Sequence, residues 1–320
     1  SSTGTTYTGP HRWGTDLDGE HEAMRYLEGD FSGDGKTDIA AIWHSENGNA
    51  NINVHVSGGS SFTAQNWLSD NGAISEDLIW LSGDYTGDGK CDIAVVWAGP
   101  GGACVDVYPS TGTGFSSPVA WAVNQGGIWD SMIWMSGDYT GDGYCDILKL
   151  WNDAGSVTAD VHPSNGSAFT GISRFITGQG GITDDMVWMS GDYTGDGNCD
   201  IMKLWNNGGA VDADVYASSG SSFSNSVAFA RGQGGIWPEM SWMSGDFNGD
   251  GYCDISKVFN LGDLATADVH PSSGTNFTHV ARFANNQGSI WGGMKWFAGN
   301  FDGSGADDIW WVGAGGRVLH

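Results

Sequence analysis

The sequence predicts an all-β fold: a six-bladed β-propeller of four-stranded antiparallel blades. Three observations predict it. A motif of the form GDYTGDGxCDI begins at Gly29, Gly83, Gly137, Gly191, Gly245 and Gly299, each copy 54 residues after the last. Each unit divides into four short apolar segments bounded by Gly, Asn, Asp or Pro, and that period with four strands per unit is the signature of propeller blades. The composition agrees, since 53 Gly and 17 Trp set against only 12 Lys and Arg describe tight turns around an aromatic interior.

Within the third unit, strand A is expected from Met132 to Ser136, strand B from Asp146 to Trp151 and strand C from Val157 to His162. Strand D comes from the preceding unit, from Val119 to Val123. An Asp-rich loop joins A to B, a turn such as NDAGS joins B to C, PSNGSAF joins C to D, and a link such as NQGGIWD leads from D into the next A. The chain ends fit the same register. Arg317-Val318-Leu319-His320 matches Ala267-Asp268-Val269-His270, and the opening SSTGTTYTG matches PSSGTNFTH from Pro271. Blade six is therefore expected from about 294–320 plus 1–13, its strand D running from about Tyr7 to Trp13, so that the N-terminal strand closes the ring and residues 1–320 form one domain.

The A–B loop places oxygen donors at positions 1, 3, 5 and 9, a carbonyl at 7 and Gly at 6, which is a hard-oxygen set suited to calcium. Position 1 is Asp30, Asp84, Asp138, Asp192 and Asp246, and position 3 is Ser32, Thr86, Thr140, Thr194 and Asn248. Position 5 is Asp34, Asp88, Asp142, Asp196 and Asp250, and position 9 is Asp38, Asp92, Asp146, Asp200 and Asp254. The last copy departs from the pattern with Asn300, Asp302, Ser304 and Asp308 and is expected to bind most weakly. A helix-loop-helix calcium site would need Glu at position 12; Lys149 stands there, and both flanks read as strands. Three carboxylates in one short loop repel one another without a cation, although polar Asx turns without metal are the plain alternative.

The net charge of −26 excludes nucleic acid and anionic membrane surfaces as partners. Much of it is committed to the loops, which hold 17 of the 38 carboxylates; six calcium ions would bring the balance to about −14. No apolar run approaches the length of a membrane span, so no membrane insertion is expected. The expected setting is secreted or extracellular, with no signal peptide in the sequence. Cys91, Cys145, Cys199 and Cys253 recur at one repeat position and are expected as free thiols in different blades, and Cys104 lacks a partner too.

Other columns of the repeat carry side chains of interest. Trp80, Trp134, Trp188, Trp242 and Trp296, with Tyr26, share a strand A position and are expected to pack between sheets. Trp43, Trp97, Trp151, Trp205 and Phe259 end strand B. Lys149, Lys203 and Lys257 precede that aromatic by two and fall opposite Asp160, Asp214 and Asp268, which suggests cross-strand ion pairs or polar ligand contacts. The D–A links carry Gln125 and Trp129, Gln179, Gln233 and Trp237, and Gln287 and Trp291, with Gly between. They could offer a sugar an amide, an approachable backbone and a stacking face. The first two links differ, reading DLDGEHE and DNGAISE, and the Asp16 to Glu22 segment, with His21 between two Glu, is the one asymmetric polar cluster.

The repeated loop between strands resembles the FG-GAP or VCBS repeat of integrin-α-like propellers over the entire chain, and the chain is similar to fungal and bacterial propeller lectins of the Psathyrella velutina type. That resemblance implies up to six structural calcium ions, multivalent carbohydrate binding and glycan or glycoconjugate partners, with N-acetylglucosamine-type sugars expected. Informative residues spread evenly over blades two to five favour equivalent binding sites over one catalytic centre, so no enzymatic activity is expected. A protein-binding adhesion propeller and a polysaccharide lyase or hydrolase are the alternatives.

Overall fold

A computed structural model of the protein describes Trp13 and residues 24–73, 77–236, 239–262, 264–278, 281–284 and 294–312. The strands fall where the turn residues bound them. The first sheet holds β1 (Arg25–Gly29), β2 (Asp38–His44), β3 (Asn49–Ser57) and β4 (Phe62–Ala73). The second holds β5 (Ile79–Gly83), β6 (Asp92–Gly99), β7 (Gly102–Tyr108) and β8 (Val119–Ala122). In the third are β9 (Ile133–Gly137), β10 (Asp146–Asp153), β11 (Ser156–His162) and β12 (Ser173–Gln179). The fourth contains β13 (Val187–Gly191), β14 (Asp200–Asn207), β15 (Ala210–Tyr216) and β16 (Val227–Ala230). The fifth contains β17 (Ser241–Gly245), β18 (Asp254–Leu261), β19 (Leu264–His270) and β20 (Ala281–Ala284). Every pairing is antiparallel between strands consecutive in the chain.

This corrects the expected count. The described residues form five four-stranded blades, not six, and the remaining sheet has two strands, β21 (Lys295–Gly299) and β22 (Asp308–Val312). The segments expected to supply its outer strands, 317–320 and 7–12, lie outside the described residues. Trp13 is described, and its carbonyl accepts the Phe62 amide at 3.1 Å while the two rings meet at 5.3 Å. The first strands of the blades stand side by side, with β21 between β17 and β1.

Each A–B loop is tied to the loop before it. The amide of Cys91 donates to the Asp30 carbonyl, Cys145 to Asp84, Cys199 to Asp138, Cys253 to Asp192 and Asp307 to Asp246, all at 2.8 Å, and Thr37 donates to Asn300 at 3.0 Å. Side chains repeat the stitching: the hydroxyl of Ser164 donates to the Tyr85 carbonyl of the preceding blade at 2.8 Å, while its amide donates to Asp146. The cysteines are free, as expected. Their role is steric, because a Cβ on Gly83 would stand 2.3 Å from the Cys145 sulfur and one on Gly191 2.3 Å from that of Cys253. The glycine that opens each motif leaves room for the side chain of the next blade.

Alternation along the strands gives each blade two faces. Leu148, Leu150, Ala159 and Val161 of the third blade pack against Trp188, Ile201 and Tyr216 of the fourth, so the core lies between blades. Trp80, Trp134 and Trp188 are buried there, stacked on Tyr108, His162 and Tyr216 at 6.0–6.3 Å, which bears out their packing role. The antiparallel connections put the Asp loops and C–D turns on one rim and the D–A links and B–C turns on the other.

Candidate functional site

On the first rim, the Asp at position 1 organises its own loop. Oδ1 of Asp138 accepts the amides of Gly141 and Asp142 and Oδ2 accepts that of Gly143, at 2.7–3.1 Å; Asp30, Asp84, Asp192 and Asp246 do the same in their loops. The Asp at position 9 bridges two turns, Asp146 accepting from Thr140 N and Ser164 N. In the first two loops position 5 turns outward, Asp34 to Lys36 and Asp88 to Lys90. Backbone amides therefore relieve the repulsion that the clustered carboxylates would otherwise suffer. The last copy is looser: Asn300 Oδ1 receives only the Gly305 amide, at 3.2 Å.

Among the described residues no three acidic or imidazole or thiol side chains converge at metal-binding distance. The donor chemistry nonetheless fits a hard cation. The buried hydroxyls of Thr140 and Thr194 and Oδ2 of Asp254 have no hydrogen-bond partner. Burial pushes the carboxyls of Asp38 and Asp92 up to about 6 and those of Asp146, Asp200 and Asp254 to about 7, against the pull of the backbone amides they accept from.

On the opposite rim the sheet register lays one row of side chains across each blade. In the third blade Trp134 on β9 faces Lys149 on β10, Lys149 faces Asp160 on β11, and Asp160 faces Arg174 on β12. Lys149 is 3% exposed; its ammonium lies 3.8 Å from Asp160 and donates to the Gln125 carbonyl of the preceding D–A link at 2.6 Å. Burial lowers its pKa, against the pull of Asp160. The guanidinium of Arg174 donates through Nε to Asp160 and lies 5.1 Å over the Trp151 ring. Trp129, 44% exposed, meets that ring edge-on at 6.1 Å.

The fifth blade repeats the row with Trp242, Lys257, Asp268 and Arg282, whose guanidinium covers Phe259 at 5.9 Å. In the fourth, Ala228 takes the arginine's place, and Arg231 reaches in from three residues on to cover Trp205 at 5.3 Å. Its amino groups are spent on the carbonyls of Ala213 and Ala230 and on Asp214. The second blade has no cation in its row: Trp97 Nε1 donates to Asp106 at 3.0 Å opposite Ala120. The first has Asn66 bonded to Asn53 at 2.9 Å.

The link residues singled out from sequence divide. Gln125 and Gln233 fasten their links, each amide N–H donating to the neighbouring hairpin at Ala103 O and Val211 O, and the Gln125 side chain bonds Val123 O. Gln179 ends β12 opposite Val157. Trp129 joins the third-blade row at the Trp151 ring, whereas Trp237, Gln287, Trp291 and the Asp16 to Glu22 segment lie outside the described residues. Two of the expected lysine–aspartate pairs form across the strands, Lys149 with Asp160 at 3.8 Å and Lys203 with Asp214 at 3.7 Å, while Lys257 faces Asp268 in register. Sequence reasoning missed Arg174, Arg231 and Arg282. For two of them a signal exists, since Arg174 and Arg282 share the repeat position held by Asn66, Ala120 and Ala228.

No family model and no curated protein sequence matches the chain. Solved structures do resemble it. A Tc holotoxin pore of Photorhabdus luminescens is 11% identical with a TM-score of 0.57, over 92% of this chain but only 13% of that one. A fucose-specific lectin of Aleuria aurantia is 14% identical with a TM-score of 0.42, over 84% of this chain and 80% of its own. A rhamnogalacturonan lyase of Bacillus licheniformis is 13% identical with a TM-score of 0.38, over 96% of this chain and 58% of that one. The expectation of no enzymatic activity is thereby corrected: lyases stand beside lectins among the similar structures, and the fold does not separate them. The likeness to the toxin pore, with the sheets described above, shows the fold alone, an all-β propeller of four-stranded antiparallel blades.

Proposed function

We propose that the protein is a carbohydrate-binding propeller that takes saccharides in the clefts between blades on the link rim. The observation that carries this reading is the third-blade cluster, where the exposed Trp129 meets Trp151 and Arg174 covers that ring beside the buried Lys149 and Asp160. Aromatic faces bind the apolar side of a sugar ring while fixed polar groups take its hydroxyls. The row recurs in the fourth and fifth blades, so several weak sites would act together on a clustered glycan. The resemblance to propeller lectins adds N-acetylglucosamine-type glycans as probes. The test is a glycan array with wild type and Trp129→Ala combined with Trp151→Ala. Binding that falls about tenfold or more in the variant, at unchanged fold, supports the reading; a wild type that binds no saccharide overturns it.

Calcium belongs to this proposal as a structural ion. Positions 1, 3, 5 and 9 of the complete loops would hold it, and its charge would meet the buried carboxylates of position 9. The unpartnered Thr140 and Thr194 hydroxyls support that assignment.

A further inference from the structure

We propose that the clefts of the third and fifth blades select acidic saccharides, binding the carboxylate of a uronate through the open edge of Arg174 and of Arg282. This rests on the carbohydrate-binding reading and names the substrate class of the same clefts.

The argument begins with the donors of each guanidinium. A guanidinium has five N–H groups in a planar fork, and two parallel bonds from its terminal amino groups match a carboxylate. In the third blade Asp160 accepts from Nε of Arg174, and among the described residues the terminal amino groups have no partner. The side chain is 49% exposed, so that edge reaches solvent. Arg282 likewise donates through Nε to Asp268, with its side chain 44% exposed. Both are held at two points, by a buried aspartate and by an aromatic face, and so present the fork in a fixed orientation at little further entropic cost.

Charge points the same way. In a protein of net charge −26, these two rows each carry two cations and one carboxylate: Lys149 and Arg174 with Asp160, and Lys257 and Arg282 with Asp268. In the third blade the lysine ammonium stands 3.8 Å from Asp160 and donates to the Gln125 carbonyl, so the half-exposed guanidinium of Arg174 is the cation of that row open to a second anion. The fourth blade shows the contrast. Arg231 spends its amino groups on Ala213, Ala230 and Asp214, and Asp212 adds a second carboxylate beside it at 3.9 Å, so that cleft is closed to an anion. The second blade, with Asp106 and no cation in its row, would repel one.

The experiment compares three probes on the whole chain by titration calorimetry: tri-galacturonate, its fully methyl-esterified form, and a sulfated neutral disaccharide. The first two share a carbohydrate skeleton and differ in charge, and the third separates carboxylate from sulfate as the source of the anion. Tri-galacturonate should bind about tenfold or more tightly than its ester, weaken in high salt, and lose that margin in R174Q combined with R282Q; the sulfated probe should bind no better than the ester. Equal binding of acid and ester by wild type overturns the proposal while leaving saccharide binding in place, and this comparison needs no variant to fold. Retention of the full margin by a folded double variant overturns it too, as does a preference for sulfate. If no saccharide on a broad array binds at all, the carbohydrate-binding reading fails first and takes this one with it.

Discussion

At the residue scale the blades carry buried titratable groups whose charge the fold does not accommodate. His162 and His270 lie stacked beside Trp134 and near Trp242, 1% and 0% exposed. Burial, with Lys149 and Lys257 nearby, lowers their pKa from 6.5 to about 4 and about 3. The unfolded chain binds protons at these histidines below pH 6.5 and the folded chain does not, so each subtracts stability as the pH falls from 6.5 toward its folded value. At 1.36 kcal/mol per unit this amounts to about 2 kcal/mol or more per histidine by pH 4.5. Tyrosine fills the same repeat position at Tyr108 and Tyr216, against Trp80 and Trp188. His162→Tyr with His270→Tyr should therefore gain on wild type as the pH drops from 7.5 to 4.5, measured by denaturant unfolding at both values. A constant difference would show that the histidines do not titrate as burial requires. Such pairings of columns are readable from sequence only when residues 54 apart are set against each other, and Arg174 and Arg282 needed that step. Arg231 has no such signal, because it enters its cleft from a different position.

At the scale of the element, the A–B hairpin of each blade is keyed to the strand before it. Gly83 ends β5 where a Cβ would lie 2.3 Å from the sulfur and 3.0 Å from the Cβ of Cys145, just ahead of β10. Gly83→Ala should lower stability by about 1–3 kcal/mol through overpacking. Cys145→Ala added to it should restore part of that loss, since the sulfur is the nearer atom, and thermal melts of the four proteins of the cycle give the coupling directly. Additive losses would mean that the two side chains do not meet. The hairpins themselves were legible in the sequence: strands A to D of the third unit were expected within two residues of β9, β10, β11 and β8. The loop chemistry was read less well. Carboxylate repulsion argued for a cation, but the repulsion is largely met by backbone amides, which composition and spacing do not display.

At the scale of the whole molecule, the inner strands are joined step by step through one bond between successive loops, from Cys91 to Asp30 through to Thr37 and Asn300. Anything that stiffens the loops stiffens the ring. Structural calcium, as proposed, would act through the folded state alone and raise stability by linkage. Exhaustive chelation should then lower the melting temperature by several degrees, and added calcium should restore it. An unchanged melt, with no metal in elemental analysis, removes calcium from the account and leaves the amide-filled Asp loops as sufficient. The repeat period and the strand pattern made the propeller legible, and the number of complete blades was not. Period counts motifs, whereas a blade needs four paired strands, and the last motif pairs only β21 with β22 among the described residues.

The two open clefts differ in the ring beneath the arginine, which is Trp151 in one and Phe259 in the other. A ligand that draws on the guanidinium of Arg174 alters the surroundings of an indole, with a second indole, Trp129, against its edge. At Arg282 the same event touches a phenyl ring that scarcely emits. Intrinsic fluorescence would thus weigh the two sites unequally, since Trp242 stands further along the fifth-blade row, while heat of binding counts both alike, and comparing the two signals along one titration tells which blade fills first.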